Sequence, residues 1–378
     1  MTTDARHDEE RMAEAGVLAA GVRRSTAPNP WVGCVLERDG VVVGTGATRP
    51  PGGDHAEVVA LAAAGDAARG ATAYVTLEPC SHHGRTAPCA DAMIRAGVTR
   101  VVVALEDPDS RVAGEGVARL RAAGVDITVG VGADAVRDQL APYLHHRRTG
   151  RAACLLKSAV SADGRTAAAD GSSQWITGPL ARADAHGLRA DSQAVVIGAG
   201  TALADRPSLT VRDVDPPPAL PPLRVLLDAS GRVPPVGPLF DGAAPTMVIT
   251  TERVDPAALE AWKAAGAKVE VVAEADGKVD LTAALATLGA HGVLQAMVEG
   301  GAALHGACIA AGLADRLVLY VGGALLGTRG KPGIDWPGPP SIASAPRLRL
   351  TGATVLGDDV RLDYVPVRSE GSDAGESA

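Results

Sequence analysis

Apolar positions recur at helical spacing across residues 8–22 and predict an amphipathic helix. The period then shortens. Two apolar runs, 32–36 (VGCVL) and 41–46 (VVVGTG), flank Arg38-Asp39-Gly40, a hairpin signal. Asp54 precedes HAEVVALAAAG, which reads as a helix with an aspartate cap and a glycine stop at Gly65. A strand follows at ATAYVTL, then the loop EPCSHHGRTAP and a helix starting near Cys89 and ending by Gly97. Beyond it the pattern gives a strand at 99–105 (TRVVVAL), a helix around 115–123 and a strand at 125–130 (VDITVG). Strands alternating with helices predict a three-layer α/β/α domain over residues 1–147.

The basic stretch Leu144–Arg151 breaks the series and serves as the expected linker, at its narrowest 148–151. A second strand–helix series opens at 152–160 (ACLLKSAV at its start), with further strands expected at 193–198, 223–228, 246–250, 294–298 and 316–321. These place a second α/β domain at 152–368. Pro-rich runs at 214–222 and 331–340 read as loops. Residues 369–378, SEGSDAGESA, read as a disordered tail. No internal repeat is visible.

Composition narrows the function. A net charge of −8 argues against a nucleic-acid partner, which needs a basic surface, but allows a local basic pocket for one phosphate. Only nine aromatic residues are present (one Phe, four Trp, four Tyr), so the cores are built from Ala, Val and Leu. The five cysteines are few and scattered, as in a reducing compartment, and the acidic start lacks the basic and apolar segments of a secretory signal. No apolar run approaches the ~18 residues of a membrane span. The expectation is a cytoplasmic enzyme of a small-molecule substrate, with no membrane partner, working as a homo-oligomer.

Three short pieces carry chemistry: His55-Ala56-Glu57, Pro79-Cys80 and Pro88-Cys89. A catalytic zinc takes three protein ligands and keeps a fourth position for water. His55, Cys80 and Cys89 supply that set. Zinc lowers the pKa of bound water from about 15.7 toward 7, and a carboxylate must then carry protons to the ring nitrogen and the departing ammonia. Glu57 takes that role. Helical residues i and i+2 point about 200° apart, so His55 and Glu57 converge only at a helix end. With Asp54 as cap both fall in one first turn, and Cys89 opens the next helix, so two positive helix ends face one metal. H-x-E alone is a weak signal. Two cysteines in a loop also suit a structural zinc, with His82 or His83 as fourth ligand. The combination is far more specific than its members.

The segment Glu78-Pro79-Cys80-Ser81-His82-His83-Gly84-Arg85-Thr86-Ala87-Pro88-Cys89 resembles the zinc loop of the bifunctional riboflavin-biosynthesis deaminase–reductase family. Ala87 replaces a proline usual in that family and touches neither ligand. Pro28-Asn29-Pro30-Trp31-Val32-Gly33 is similar to the family's pattern near the pyrimidine pocket. The resemblance implies a cytidine-deaminase-like first domain that hydrolyses an amine from a diaminopyrimidinone ribosyl phosphate. It makes Asn29 and His82 candidate substrate contacts; Asn29 also reads as a turn residue between two prolines.

In the second series, Ile197-Gly198-Ala199-Gly200 and Val298-Glu299-Gly300-Gly301 each run from a strand into a helix. Leu203 occupies the third glycine position of a dinucleotide fingerprint, so that motif is incomplete. Two glycine turns still offer backbone N–H groups to a phosphate. Together with 157–167 and 171–177 they resemble the same family's reductase domain, which implies a dihydrofolate-reductase-like fold and reduction of the ribosyl group to ribityl by NADPH. Carried over by position, Ala159, Trp175, Thr201, Asp205 and Gly301 are expected at the cofactor, and Ser173, Arg189, Leu209, Arg212 and Glu299 at the substrate. Arg189 and Arg212 suit a bidentate phosphate clamp or a solvated surface. Lys157 and Asp163 are candidates to polarise the sugar, although Asp163-Gly164 also reads as a capped turn. Arg182 and Arg206 are candidates for a 2′-phosphate. The alternative is a zinc deaminase of another base or nucleoside with a decayed or unrelated nucleotide-binding second domain.

Overall fold

The structure is a computed structural model that describes residues 3–81, 88–109 and 112–367. The chain divides into two units, one ending at Thr149 and the other beginning at Gly150.

The first unit runs α1 (Thr3–Thr26), β1 (Gly33–Arg38), β2 (Val41–Ala47), α2 (Ala56–Ala64), β3 (Thr72–Leu77), α3 (Cys89–Ala96), β4 (Arg100–Leu105), α4 (Glu115–Ala122), β5 (Asp126–Val129) and α5 (Ala133–Thr149). The sheet order is β2-β1-β3-β4-β5; β1 is antiparallel to both neighbours and β3, β4 and β5 are parallel. Register shows why helices lie on both faces. Cys34 pairs with Gly46, so the two share a face, and a side chain at Gly46 would strike the Ala56 carbonyl of α2 at 2.1 Å. The neighbouring Gly33 faces the other way, onto the Ala15 carbonyl of α1. The hydrogen bond from the Gln139 amide to the Gly16 carbonyl ties α5 to α1 on that second face.

α5 was not expected, and it absorbs residues 144–149 of the anticipated linker. Val136, Leu140, Tyr143 and Leu144 are buried, and the basic residues occupy the last turn, where the helix dipole favours cations.

The second unit contains β6 (Ala153–Ser161), β7 (Arg165–Ala167), α6 (Pro179–Ala190), β8 (Ala194–Gly198), α7 (Ala199–Asp205), β9 (Leu223–Leu227), β10 (Thr246–Thr250), α8 (Pro256–Ala264), β11 (Lys268–Val271), β12 (Glu274–Ala275), β13 (Lys278–Val279), α9 (Leu281–Ala290), β14 (Gln295–Val298), α10 (Ala302–Ala310), β15 (Arg316–Gly322), β16 (Lys331–Pro332), β17 (Leu348–Leu356) and β18 (Asp359–Pro366). Nine strands form one sheet, ordered β11-β10-β9-β8-β14-β6-β15-β18-β17. It is parallel from β11 to β15, and β18 and β17 extend it antiparallel. The parallel strands are continuous apolar runs such as AVVIG and QAMV because both faces are covered. The closing β17–β18 hairpin escaped the sequence reading, since LRLTGATVL lies largely exposed at the sheet edge and lacks a clear buried alternation. Among the described residues no helix is long and apolar enough to cross a membrane.

Candidate active sites

In the first unit the sheet brings together, from three places, three side chains that could hold a metal. His55 precedes α2, Cys80 follows β3 and Cys89 opens α3. Their ligand atoms all lie within 4.8 Å of one another. His55 Nδ1 is 3.5 Å from Cys80 Sγ and 3.3 Å from Cys89 Sγ. Zinc–sulfur and zinc–nitrogen bonds of ~2.3 and ~2.0 Å at a tetrahedral angle require an S···N separation of ~3.5 Å, so the donor set fits one zinc ion.

The expected helix frame shifts by one residue. His55, rather than Asp54, is the N-cap of α2, with extended φ −74° and ψ 162° and no side-chain cap bond. This removes the 200° problem, because only Glu57 is helical and the extended His55 turns its ring toward the same point.

Glu57 is 3% exposed, and burial raises its carboxyl to about 7, the range suited to proton transfer near neutrality. The Cys89 thiol hydrogen-bonds the Cys80 sulfur, which pulls Cys80 down to about 4 and pushes Cys89 up. The Cys89 backbone N–H at the start of α3 adds a bond to the Cys80 sulfur at 3.4 Å. The hydrogen bond to Cys80 in turn raises His55 to about 9.

Glu78 was quoted in the motif but given no role. Its buried carboxylate accepts backbone N–H bonds from Asp107, Gly114 and Val117 at 3.2, 3.0 and 3.0 Å. It thereby fastens the start of α4 to the segment that carries Cys80. Gly116 permits the fit, since a side chain there would meet the Pro79 carbonyl at 1.9 Å. A carboxylate at a strand end beside a metal ligand was the available signal. Asn29 lies half-buried in the loop between α1 and β1, its N–H donated to the Thr26 carbonyl. His82, with His83, lies outside the described residues.

In the second unit one cleft of about 1980 Å³ opens at the carboxyl ends of the parallel strands. Ala159, Trp175, Thr201, Asp205 and Gly301 line it, as do Ser173, Arg189, Leu209, Arg212 and Glu299. The two glycine turns sit on neighbouring strands, β8 and β14, and the Gly301 N–H donates to the Thr201 hydroxyl at 2.9 Å. The Arg182 guanidinium stacks 4.3 Å over the exposed Trp175 ring.

Two roles change. Arg189 directs its fork to Glu299 through Nε at 2.8 Å and Nη2 at 2.9 Å, and its Nη1 to the Thr210 carbonyl. Its guanidinium is therefore engaged within the protein. Burial would raise the Glu299 carboxyl, but Arg189 and Lys157 outweigh it and hold the group at about 2. Asp163 binds the Ser161 hydroxyl and the Leu326 and Gly327 N–H groups, which accounts for it as a turn residue and holds it at about 2.

Residues 5–105 match the family model described as the cytidine and deoxycytidylate deaminase zinc-binding region, and residues 153–362 match the RibD C-terminal domain. The riboflavin biosynthesis protein RibD of Escherichia coli is 41% identical, covering 95% of this chain and 99% of that protein. The RibD protein of Mycobacterium tuberculosis is 40% identical over 94% of this chain and 97% of its own. Among solved structures, Acinetobacter baumannii RibD, form 2, is similar at a TM-score of 0.87 and 36% identity, covering 97% of this chain and 100% of that one. A diaminohydroxyphosphoribosylaminopyrimidine deaminase/5-amino-6-(5-phosphoribosylamino)uracil reductase from Thermotoga maritima gives 0.84 at 28% identity, covering 96% and 100%.

Proposed function

The chain belongs to the RibD family of bifunctional riboflavin-biosynthesis enzymes, and on that footing we propose how its two units share a pair of consecutive reactions. The first unit is a zinc-dependent deaminase of a diaminopyrimidinone ribosyl phosphate. The second is an NADPH-dependent reductase that converts the ribosyl group of the deaminated product to ribityl. The observation that carries this reading is the convergence of His55, Cys80 and Cys89 within 4.8 Å, beside a buried Glu57.

Zinc held by those three residues supplies Lewis acidity, which makes water nucleophilic near neutral pH. Glu57 performs the proton traffic. Its carboxylate takes a proton from the attacking water and delivers protons to the ring nitrogen and the leaving ammonia. A carboxyl raised to about 7 both accepts and returns a proton without a large penalty. Asn29 and His82 are assigned to hold the pyrimidine.

In the second unit NADPH supplies the hydride, and the protein supplies position and charge. The glycine turns at Gly198 and Gly301, with Ala159, Trp175, Thr201 and Asp205, are assigned to the cofactor. Ser173, Leu209, Arg212 and Glu299 are assigned to the substrate, with Arg189 fixing the Glu299 carboxylate. Lys157, which lines the cleft within the field of Glu299, is assigned to polarise the sugar. Of the two candidates, Arg182, stacked on Trp175 in the cleft, is assigned to the cofactor's 2′-phosphate.

The reading extends to a homo-oligomer in the cytoplasm. Its support is the edge strand β17, which presents Leu348, Leu350 and Val355 to solvent, and five cysteines of which none is in a disulfide. Light scattering on the purified protein tests the first point; a monomer at micromolar concentration refutes it. The functional test is incubation with the pyrimidine ribosyl phosphate and NADPH, following ammonia release and nicotinamide absorbance separately. Both signals are expected, ammonia first. Ammonia release without NADPH oxidation would remove the reductase half of the reading.

A further inference from the structure

His186 lies on α6, in the cleft, between residues already assigned and with no role so far. Arg212 approaches both nitrogens of its ring. The Arg212 backbone N–H donates to His186 Nδ1 at 3.3 Å, and Arg212 Nη2 stands 3.3 Å from His186 Nε2. A neutral imidazole has one lone pair and one N–H, so it cannot accept from both. With Nδ1 taken by the backbone, the ring proton sits on Nε2 and faces another donor. Two donors then point into the same space. The Ser208 hydroxyl, 3.4 Å from Arg212 Nη1, borders the same corner.

The surrounding charge selects the missing acceptor. Arg189, Arg212 and Lys157 act on this ring against one carboxylate, Glu299. Burial first, then Arg189 and Arg212, push the ring down to about 4; Lys157 adds to that and Glu299 opposes it. The ring therefore stays neutral at physiological pH and keeps the Nε2–H donor, beside three cations that favour an anion.

We propose that His186 is a ligand of the substrate's phosphate monoester, its Nε2–H and the Arg212 guanidinium donating to phosphate oxygens side by side. The inference rests on the second unit being a reductase of a phosphate-bearing substrate, and it adds a residue and a tautomer to that site. It also explains why Arg189 can be given over to Glu299: the clamp is completed by an imidazole.

The test uses the full-length enzyme, NADPH, 5-amino-6-(5-phosphoribosylamino)uracil and the same compound without its phosphate. His186→Ala is expected to raise KM for the phosphorylated substrate by about tenfold, with kcat within about twofold, as for one hydrogen bond to a charged group. KM for NADPH stays unchanged, and the parent and the variant become equal on the dephosphorylated compound. His186→Gln, which keeps an N–H donor, recovers most of the loss and carries the test if the alanine variant does not fold. An equal loss on both substrates, or no loss on the phosphorylated one, overturns the proposal. If the unaltered enzyme does not oxidise NADPH with either compound, it is the reductase reading that fails.

Discussion

The two sites are built in opposite ways. In the first unit side chains from three short motifs converge, His55, Cys80 and Cys89 within 4.8 Å of one another and beside the buried Glu57, and perturb one another strongly: Glu57 moves up to about 7 and Cys80 down to about 4. In the second, one open cleft of about 1980 Å³ draws on several strands, two glycine turns and a loop, and holds the Arg189–Glu299 ion pair. The difference follows from the chemistry. Hydrolysis at carbon needs a nucleophile made and a proton carried at one point. Hydride transfer needs two extended ligands held in register, with no protein atom entering the reaction.

This contrast predicts how the sites fail. Glu57→Gln should lower ammonia release by about 10²–10⁴-fold while zinc content, measured by metal analysis, and NADPH oxidation on deaminated substrate stay intact. A comparable loss of reduction would merge the two sites into one.

Glu299→Gln should instead act on stability. Breaking a buried ion pair costs about 3–5 kcal/mol, visible as a lower melting temperature of the second unit. The sign with pH follows from the depressed carboxyl. Its contribution is complete above the ordinary glutamate value near 4.5 and disappears as pH falls toward about 2. The gap between the variant and the parent should therefore narrow from pH 5 downward. A gap constant with pH would mean that the carboxylate charge is not what matters.

Arg212→Ala should raise KM for the phosphorylated substrate by roughly 10–100-fold, with little change for NADPH. Equal weakening of both would dissolve the phosphate corner. The smallest effect belongs to Asp163→Asn. Its carboxylate serves the turn at Leu326 and Gly327, so reduction should stay within about twofold. A large loss in kcat would restore Asp163 to the reaction.

The same contrast governs what the sequence reveals. The convergence of His55, Cys80 and Cys89 was legible because metal geometry limits both residue type and placement, and H-A-E with two P-C pairs satisfies those limits locally. The helix frame was misread by one residue, since Asp54 is a good capping residue by type but His55 caps by backbone conformation alone. Most strands of both units were legible as apolar runs between glycines. α5 and the β17–β18 hairpin were not: one hides its apolar face within a basic stretch, and the other lies at an exposed edge. In the cleft, the resemblance named residues that do line one wall or another, yet the pairing of Arg189 with Glu299 spans 110 positions and leaves no local trace. His186 was passed over for the same reason, because its meaning depends on Arg212, a loop residue beyond the next strand and helix.

Zinc-edge X-ray absorption on the zinc-loaded protein tests the central claim most directly. Two sulfurs at about 2.3 Å, one imidazole nitrogen and one solvent oxygen at about 2.0–2.1 Å are expected. A second imidazole or a third sulfur in place of the oxygen would mean a closed, structural metal, and the hydrolytic role of the first unit would fall.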